Sequence, residues 1–419
     1  MRRIRSGTAI IAALATMALG ASGAQAAGTF VEPVTVLQTF SGTHPGGLFG
    51  WAVSELSDVN GDGIMEAIIG EPFHAGGHTF VYSGRTGSLL YAWDGVGAEQ
   101  FGYAMADAGD TNRDGIADVI VGAPSAGPGH AYLFSGRNGS LLRTLSGVHA
   151  GDFFGAAVSS AGDSDGDGYA DVLIGAPRSK QSGVQSGRAY VFSGRTGELL
   201  RKLDAGDQGD HFGSATDWTA DVTGDRVADL IVGARDAGPG PAPGPGKAYV
   251  FSGANARLLF SVSPPATGLD LGWFFVAGVG DVNGDGTPDV YAADFDDSAN
   301  GPFSGRAAVY SGRDGSELQS WLGAPEAGLG PGREAGDVNG DAQIDLAIGS
   351  YTYGDDDAGR VEIFSGADGS LLRRVTSTTP GESLGFDAVG LGDSNQDGIP
   401  DLLVSAAGGE TVYLIAGTG

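Results

Sequence analysis

Seven times the chain spells Asp-x-Asn/Asp-x-Asp-Gly-x-x-Asp or a close variant, starting at Asp58, Asp110, Asp163, Asp221, Asp281, Asp337 and Asp393. Successive starts lie 52, 53, 58, 60, 56 and 56 residues apart. In a tight turn the oxygens of positions 1, 3 and 5, the carbonyl of position 7 and the carboxylate of position 9 converge on one point. A hard cation such as Ca²⁺ takes that kind of donor set, at about 2.3–2.6 Å. One such nonapeptide would be an ordinary Asp/Asn/Gly turn. Seven in phase are a repeat architecture in which each unit is built around a cation.

The third loop is the most complete, with Asp163, Asp165, Asp167, the carbonyl of Tyr169 and Asp171. The first offers Asp58, Asn60, Asp62, the Ile64 carbonyl and Glu66; the second Asp110, Asn112, Asp114, the Ile116 carbonyl and Asp118. The fifth has Asp281, Asn283, Asp285, Thr287 and Asp289, and the seventh Asp393, Asn395, Asp397, Ile399 and Asp401. The sixth keeps Asp337, Asn339, Asp341, Gln343 and Asp345 but carries Ala342 where glycine belongs. The fourth retains Asp221, Asp225 and Asp229, with Thr223 at position 3 and Arg226 in place of glycine. Weak or absent binding is expected at the fourth and intermediate binding at the sixth, giving about five to seven Ca²⁺ per chain. An EF-hand is excluded, because position 12 is Ile69, Val121, Ile174, Val232, Ala292, Ile348 or Val404 rather than Glu.

The surrounding segments repeat as well. An aromatic or Leu followed by Gly precedes each loop: Phe49-Gly50, Phe101-Gly102, Phe154-Gly155, Phe212-Gly213, Leu271-Gly272, Leu329-Gly330 and Leu384-Gly385. A short β-branched run follows, such as Val172-Leu173-Ile174-Gly175, then a variable stretch and a third strand ending in Ser-Gly. A glycine-containing turn leads to a fourth strand such as Leu199 to Leu203. Four strands per repeat predict an all-β, seven-bladed β-propeller of four-stranded antiparallel blades in a single domain over 27–419. The seventh unit stops after its third strand. The segment Val36 to Gly50 aligns without a gap on Leu141 to Gly155, so the N-terminal strand should complete the last blade and close the ring. The first strand of blade six, Gly330-Pro331-Gly332-Arg333-Glu334-Ala335, is the least regular, and local disorder or a bulge is expected there.

The Phe-Gly start, the acidic nonapeptide and the Val-Gly-Ala-Pro that follows (Val121 to Pro124) resemble FG-GAP repeats, the blades of the integrin α-subunit N-terminal propeller and of many bacterial secreted proteins. The resemblance covers essentially all of 34–419. It implies a seven-bladed propeller whose loops hold Ca²⁺ at the positions named above, with the fourth loop departing most. Integrin-type adhesion transfers less readily, since no leg, transmembrane helix or cytoplasmic tail is recognised in the sequence.

Residues 1–26 read as a secretory signal: Arg2, Arg3 and Arg5, an apolar stretch from Thr8 to Leu19, and Ala24-Gln25-Ala26 at the cleavage site. The chain is therefore expected to be secreted or displayed at the cell surface, with no later transmembrane segment. It has no cysteine, hence neither disulfide nor thiolate chemistry. A formal charge of −28 argues against nucleic acid or an anionic membrane as partner. Clustered carboxylates of this density repel one another unless a cation neutralises them.

In a meander the metal loops and the Ser-Gly turns share one face. The links from strand two to strand three, and from blade to blade, share the other. Length variation concentrates in the two-to-three links, where binding residues commonly sit. These links carry the candidate ligand-binding residues Arg178, Lys180, Asp294, Asp296, Tyr351 and Tyr353, a mixture suited to an extracellular glycan or protein ligand. The Asp355-Asp356-Asp357 run is either a solvated charge run or a further cation site. His74 and His78 share one loop, but a pair without a third ligand is weak for zinc. No catalytic motif is present. The expectation is a monomeric, non-catalytic binding or adhesion module. The alternatives are an extracellular polymer- or ester-cleaving enzyme with its site at the propeller mouth, or a structural envelope component.

Overall fold

The computed structural model describes residues 29–181, 184–204, 209–238 and 244–417. The expected signal segment, 1–26, lies outside the described residues. Among the described residues seven four-stranded antiparallel sheets form a ring, each following chain order from its innermost to its outermost strand except where the ring closes. Blade 1 contains Val53–Leu56, Glu66–Glu71, His78–Ser83 and Leu89–Asp94. Blade 2 repeats the pattern with Ala104–Gly109, Asp118–Ala123, His130–Phe134 and Leu141–Ser146. The inner strands touch in succession around the ring, and the first touches the last.

Blade 7 joins Leu384–Gly390, Leu402–Ala406 and Thr411–Ile415 to Val36–Ser41 from the other end of the chain. The register runs antiparallel from Gln38↔Leu414 to Ser41↔Thr411. Closure by the N-terminal strand is therefore as the internal alignment anticipated. Upstream of it, Val31 N–H donates to Thr376 O at 2.9 Å and the Glu32 carboxylate accepts from Thr376 N–H at 2.7 Å, so the same segment also clips blade 6.

The core is divided among the gaps between blades. Among the described residues seven buried clusters occur, each drawn from two neighbouring sheets. The cluster of Phe40, Phe49, Val53, Ile69, Leu403 and Val412 seals blade 7 against blade 1. The strand after each acidic loop, such as Asp171–Ala176, is buried along its whole length because it lies mid-sheet with a blade on either side.

This sandwiching gives the Phe-Gly and Val-Gly-Ala pairs their physical meaning. Phe154 is fully buried and packs on Tyr190 and Phe192. The next residue, Gly155, takes φ +87 and brings its carbonyl oxygen so close to Gly122 of the preceding blade that a Cβ on Gly122 would lie 2.0 Å from it. Only glycine fits there.

The inner strand of blade 6, Leu329–Gly336, keeps pairing with Asp345–Ser350 through two register shifts, so of the expected irregularities it shows the bulge. The shortest inner strand belongs to blade 5, Val276–Gly278. The link 178–188 adds a small hairpin, Lys180–Gln181 with Val184–Gln185, that no sequence pattern announced.

Candidate metal loops and binding face

Each nonapeptide is a turn wound around its first carboxylate. In loop 1 the Asp58 carboxylate accepts N–H bonds from Gly61 and Gly63, both at 2.7 Å, and from Asp62 at 3.2 Å. Burial alone would raise its pKa; those donors outweigh it and hold the group below the usual carboxylate range. The same wrapping recurs in loop 4, where Arg226 N–H takes the place of a glycine N–H on Asp221.

The position 9 carboxylate is the opposite case. Glu66, Asp118, Asp171, Asp229, Asp289, Asp345 and Asp401 are all fully buried. Asp171 accepts the Ser164 N–H at 3.0 Å and the Gly194 N–H at 3.2 Å, so it ties the loop to the Ser-Gly turn of its own blade. A Cβ on Gly194 would stand 1.9 Å from Ala170 O, which explains the glycine. Burial pushes Glu66 up to about 8, and Asp118, Asp171 and Asp289 to about 6. A buried carboxylate held that high is one that a cation would stabilise in its ionised form.

The donor set of loop 3 fits a hard ion. In loop 3 the carboxylate oxygens of Asp163, Asp165 and Asp171 gather within 4.8 Å of one another. Asn60, Asp62, Asn112 and Asp114 occupy the matching turns, as do Asn283, Asp285, Asn339, Asp341, Asn395 and Asp397. Arginines of the Ser-Gly-Arg turns, which the motif search did not weigh, also reach these loops: Arg85 donates to Asp62 O at 3.0 Å, Arg137 pairs with Asp114 at 3.2 Å and Arg195 with Asp167 at 3.7 Å.

The opposite face carries the links and the mouth of a central cavity of about 720 Å³. Aromatic side chains from several blades meet at that mouth. Trp51 contacts Phe386 at 5.1 Å, Tyr103 at 5.5 Å, Phe73 at 4.9 Å and Phe274 at 6.2 Å between ring centroids. Tyr351 extends the set by packing on Phe386 at 5.4 Å. Of the predicted ligand residues, Tyr351 thus sits at the mouth, while Arg178 stands over Phe153 at 4.2 Å on its rim. Arg235, not singled out from sequence, lies 4.5 Å over Trp273. Lys180 is exposed on the added hairpin, and Tyr353 is covered by Arg360 at 3.5 Å. Asp294 is fully buried and accepts the Leu269 N–H at 2.8 Å. Asp296 is partly open, and burial together with a hydrogen bond shared with it pushes Asp270 up to about 7.

Deeper in the cavity Arg333, carried by the bulged strand, pairs with Asp387 at 3.0 Å. Glu55 and Asp217 line the same space and are partly open to it. Burial, partly offset by Arg333, pushes both up to about 7. Single residues on separate strands give no spacing signal, so sequence reading had no means of finding this group.

The FG-GAP repeat family profile matches 101–140 and 154–192, each match opening on a Phe-Gly pair. Integrin alpha-3 of Cricetulus griseus is 33% identical over 159 residues, covering 33% of this chain and 15% of that protein. Integrin alpha-4 of Xenopus laevis is 34% identical over 164 residues, 35% of this chain and 16% of its own length. Integrin alpha-PS5 of Drosophila melanogaster is 31% identical over 166 residues, again 35% and 16%. The match therefore takes in only about a sixth of these relatives. Among the described residues no helix is long and apolar enough to cross a membrane.

Proposed function

Taking the chain as an FG-GAP repeat propeller that resembles those of integrin α-subunits, we propose that it is a secreted or surface-displayed, calcium-bound, non-catalytic module that binds an extracellular glycan or protein ligand across the link face. The observation that carries the reading is the aromatic mouth, with Trp51, Tyr103, Phe274, Tyr351 and Phe386 gathered from separate blades. Arg178 and Arg235 stand over rings beside it, and the carboxyl pair of Asp270 and Asp296 lies near enough to Arg235 for that charge to act on Asp270. Half-buried rings beside charges of both signs suit sugar faces and mixed protein surfaces. Calcium in the occupied loops would act from the far face, neutralising carboxylates and stiffening the turns that join strands one and two.

The test is retention of the intact mature chain on an array of oligosaccharides and immobilised extracellular matrix proteins in millimolar Ca²⁺. Expected is a ligand whose retention falls at least about tenfold (about 1.4 kcal/mol) in Trp51→Ala and Tyr103→Ala, with each variant still folded by circular dichroism at the assay temperature. Retention indifferent to both substitutions would sink the mouth as the binding site. Polymer cleavage that disappears in Glu55→Gln would instead favour an enzyme working inside the cavity.

A further inference from the structure

We propose that His44, His74 and His78 form a three-imidazole site for a divalent transition metal of the zinc class, placed at the seam where the ring closes. His44 belongs to the link that leaves the closing strand Val36–Ser41; His74 and His78 bracket the turn into the third strand of blade 1. The His44 ring stacks on His74 at 4.3 Å and on His78 at 4.7 Å. One ligating nitrogen from each lies within 4.8 Å of the others. Zn–N bonds of about 2.0–2.1 Å in tetrahedral geometry need nitrogens about 3.3 Å apart, so the rings would tilt out of their stack to close on the ion.

Three further observations point to a cation. His44 Nδ1 bonds Glu71 Oε2 at 2.8 Å, and His78 Nδ1 bonds Asp94 Oδ1 at 2.7 Å, so carboxylates hold both rings by one nitrogen and leave Nε2 as the ligating atom. His78 Nε2 and Glu71 Oε1 are enclosed with no hydrogen-bond partner, a costly arrangement unless something else binds there. The group is also peculiar to blade 1. Where blade 2 has Gly122-Ala123-Pro124-Ser125-Ala126, blade 1 has Gly70-Glu71-Pro72-Phe73-His74, so repeat ancestry accounts for neither Glu71 nor His74. Imidazole suits zinc, copper and nickel, and three protein ligands leave a fourth position. The His44 side chain is 33% exposed, placing that position toward solvent on the link face. The metal would join the closing link to blade 1, a second latch beside the paired strands.

The experiment titrates Zn²⁺ into tag-free, calcium-saturated full-length mature protein by calorimetry, with Co²⁺ absorption as a second readout. Expected are one zinc per chain and the intense visible bands of four-coordinate cobalt. His74→Ala should abolish both; His149→Ala, an exposed histidine elsewhere, should keep both. Asp94→Asn should weaken zinc by about 10–100-fold, because its bond to His78 orients a ligand. Asp163→Ala in the third calcium loop should leave the zinc count unchanged, which separates this site from the calcium reading. No tightly held zinc, or equal zinc in His74→Ala, overturns the proposal. If His74→Ala does not fold, a six-coordinate cobalt spectrum in the parent overturns it equally.

Discussion

Position 6 of every acidic loop has positive φ whichever residue occupies it: +83 at Gly63, +84 at Gly168, +72 at Arg226 and +68 at Ala342. The carboxylate at position 1 requires this, because it collects the position 6 N–H from inside the turn. A side chain held there costs about 1 kcal/mol that glycine avoids. Arg226→Gly should therefore raise the unfolding free energy by about 0.5–1 kcal/mol, after allowing for the freer unfolded chain. The reading is a higher urea midpoint with an unchanged slope; an unmoved midpoint would show that loop 4 holds no such strain. Position 4 is left-handed too, at Arg113 and Gln396 as well as at glycines. That requirement was hidden in the sequence, since two of the seven loops disguise it.

At the scale of the strand, alternating and β-branched runs located nearly every element, because a blade's strands are consecutive in the chain and joined by short turns. Their extents were set by neighbours. The inner strand of blade 5 shrinks to Val276–Gly278, while that of blade 6 lengthens to Leu329–Gly336 and bulges, which brings Arg333 to Asp387. The closing strand is the element on which the ring depends, since it buries Phe40 in the seam and covers the edge of Thr411–Ile415. Deleting Val34 to Phe40 should cost at least about 3–5 kcal/mol, the size of truncating one buried phenylalanine, and should yield aggregating protein. Size-exclusion profiles and urea melts check this; a deletion variant that melts like the parent refutes closure by this strand.

Across the whole molecule the acidic loops occupy one face and the variable links the other, so charge and recognition are separated by the thickness of the ring. At a Ca²⁺ concentration about ten times Kd, each occupied loop should add about 1.4 kcal/mol, and several together decide whether the chain stays folded. Melting with and without chelator, paired with a metal count, measures this. Protein that purifies free of divalent ion and melts identically in chelator would remove the calcium reading.

The sequence by itself determined the seven units, their strands, the cation-type loops and the strand that closes the ring. Each is written within a few residues or in a fixed period, so local spacing carries it. Only the tertiary structure decided what meets across the ring: His44 beside His74 and His78, Trp51 beside Phe274 and Phe386, and Arg333 beside Asp387. These partners come from different blades or from links on either side of the seam. Their meeting depends on how far each inner strand projects toward the axis and how each link folds over its neighbour, which are packing outcomes that no repeat period encodes.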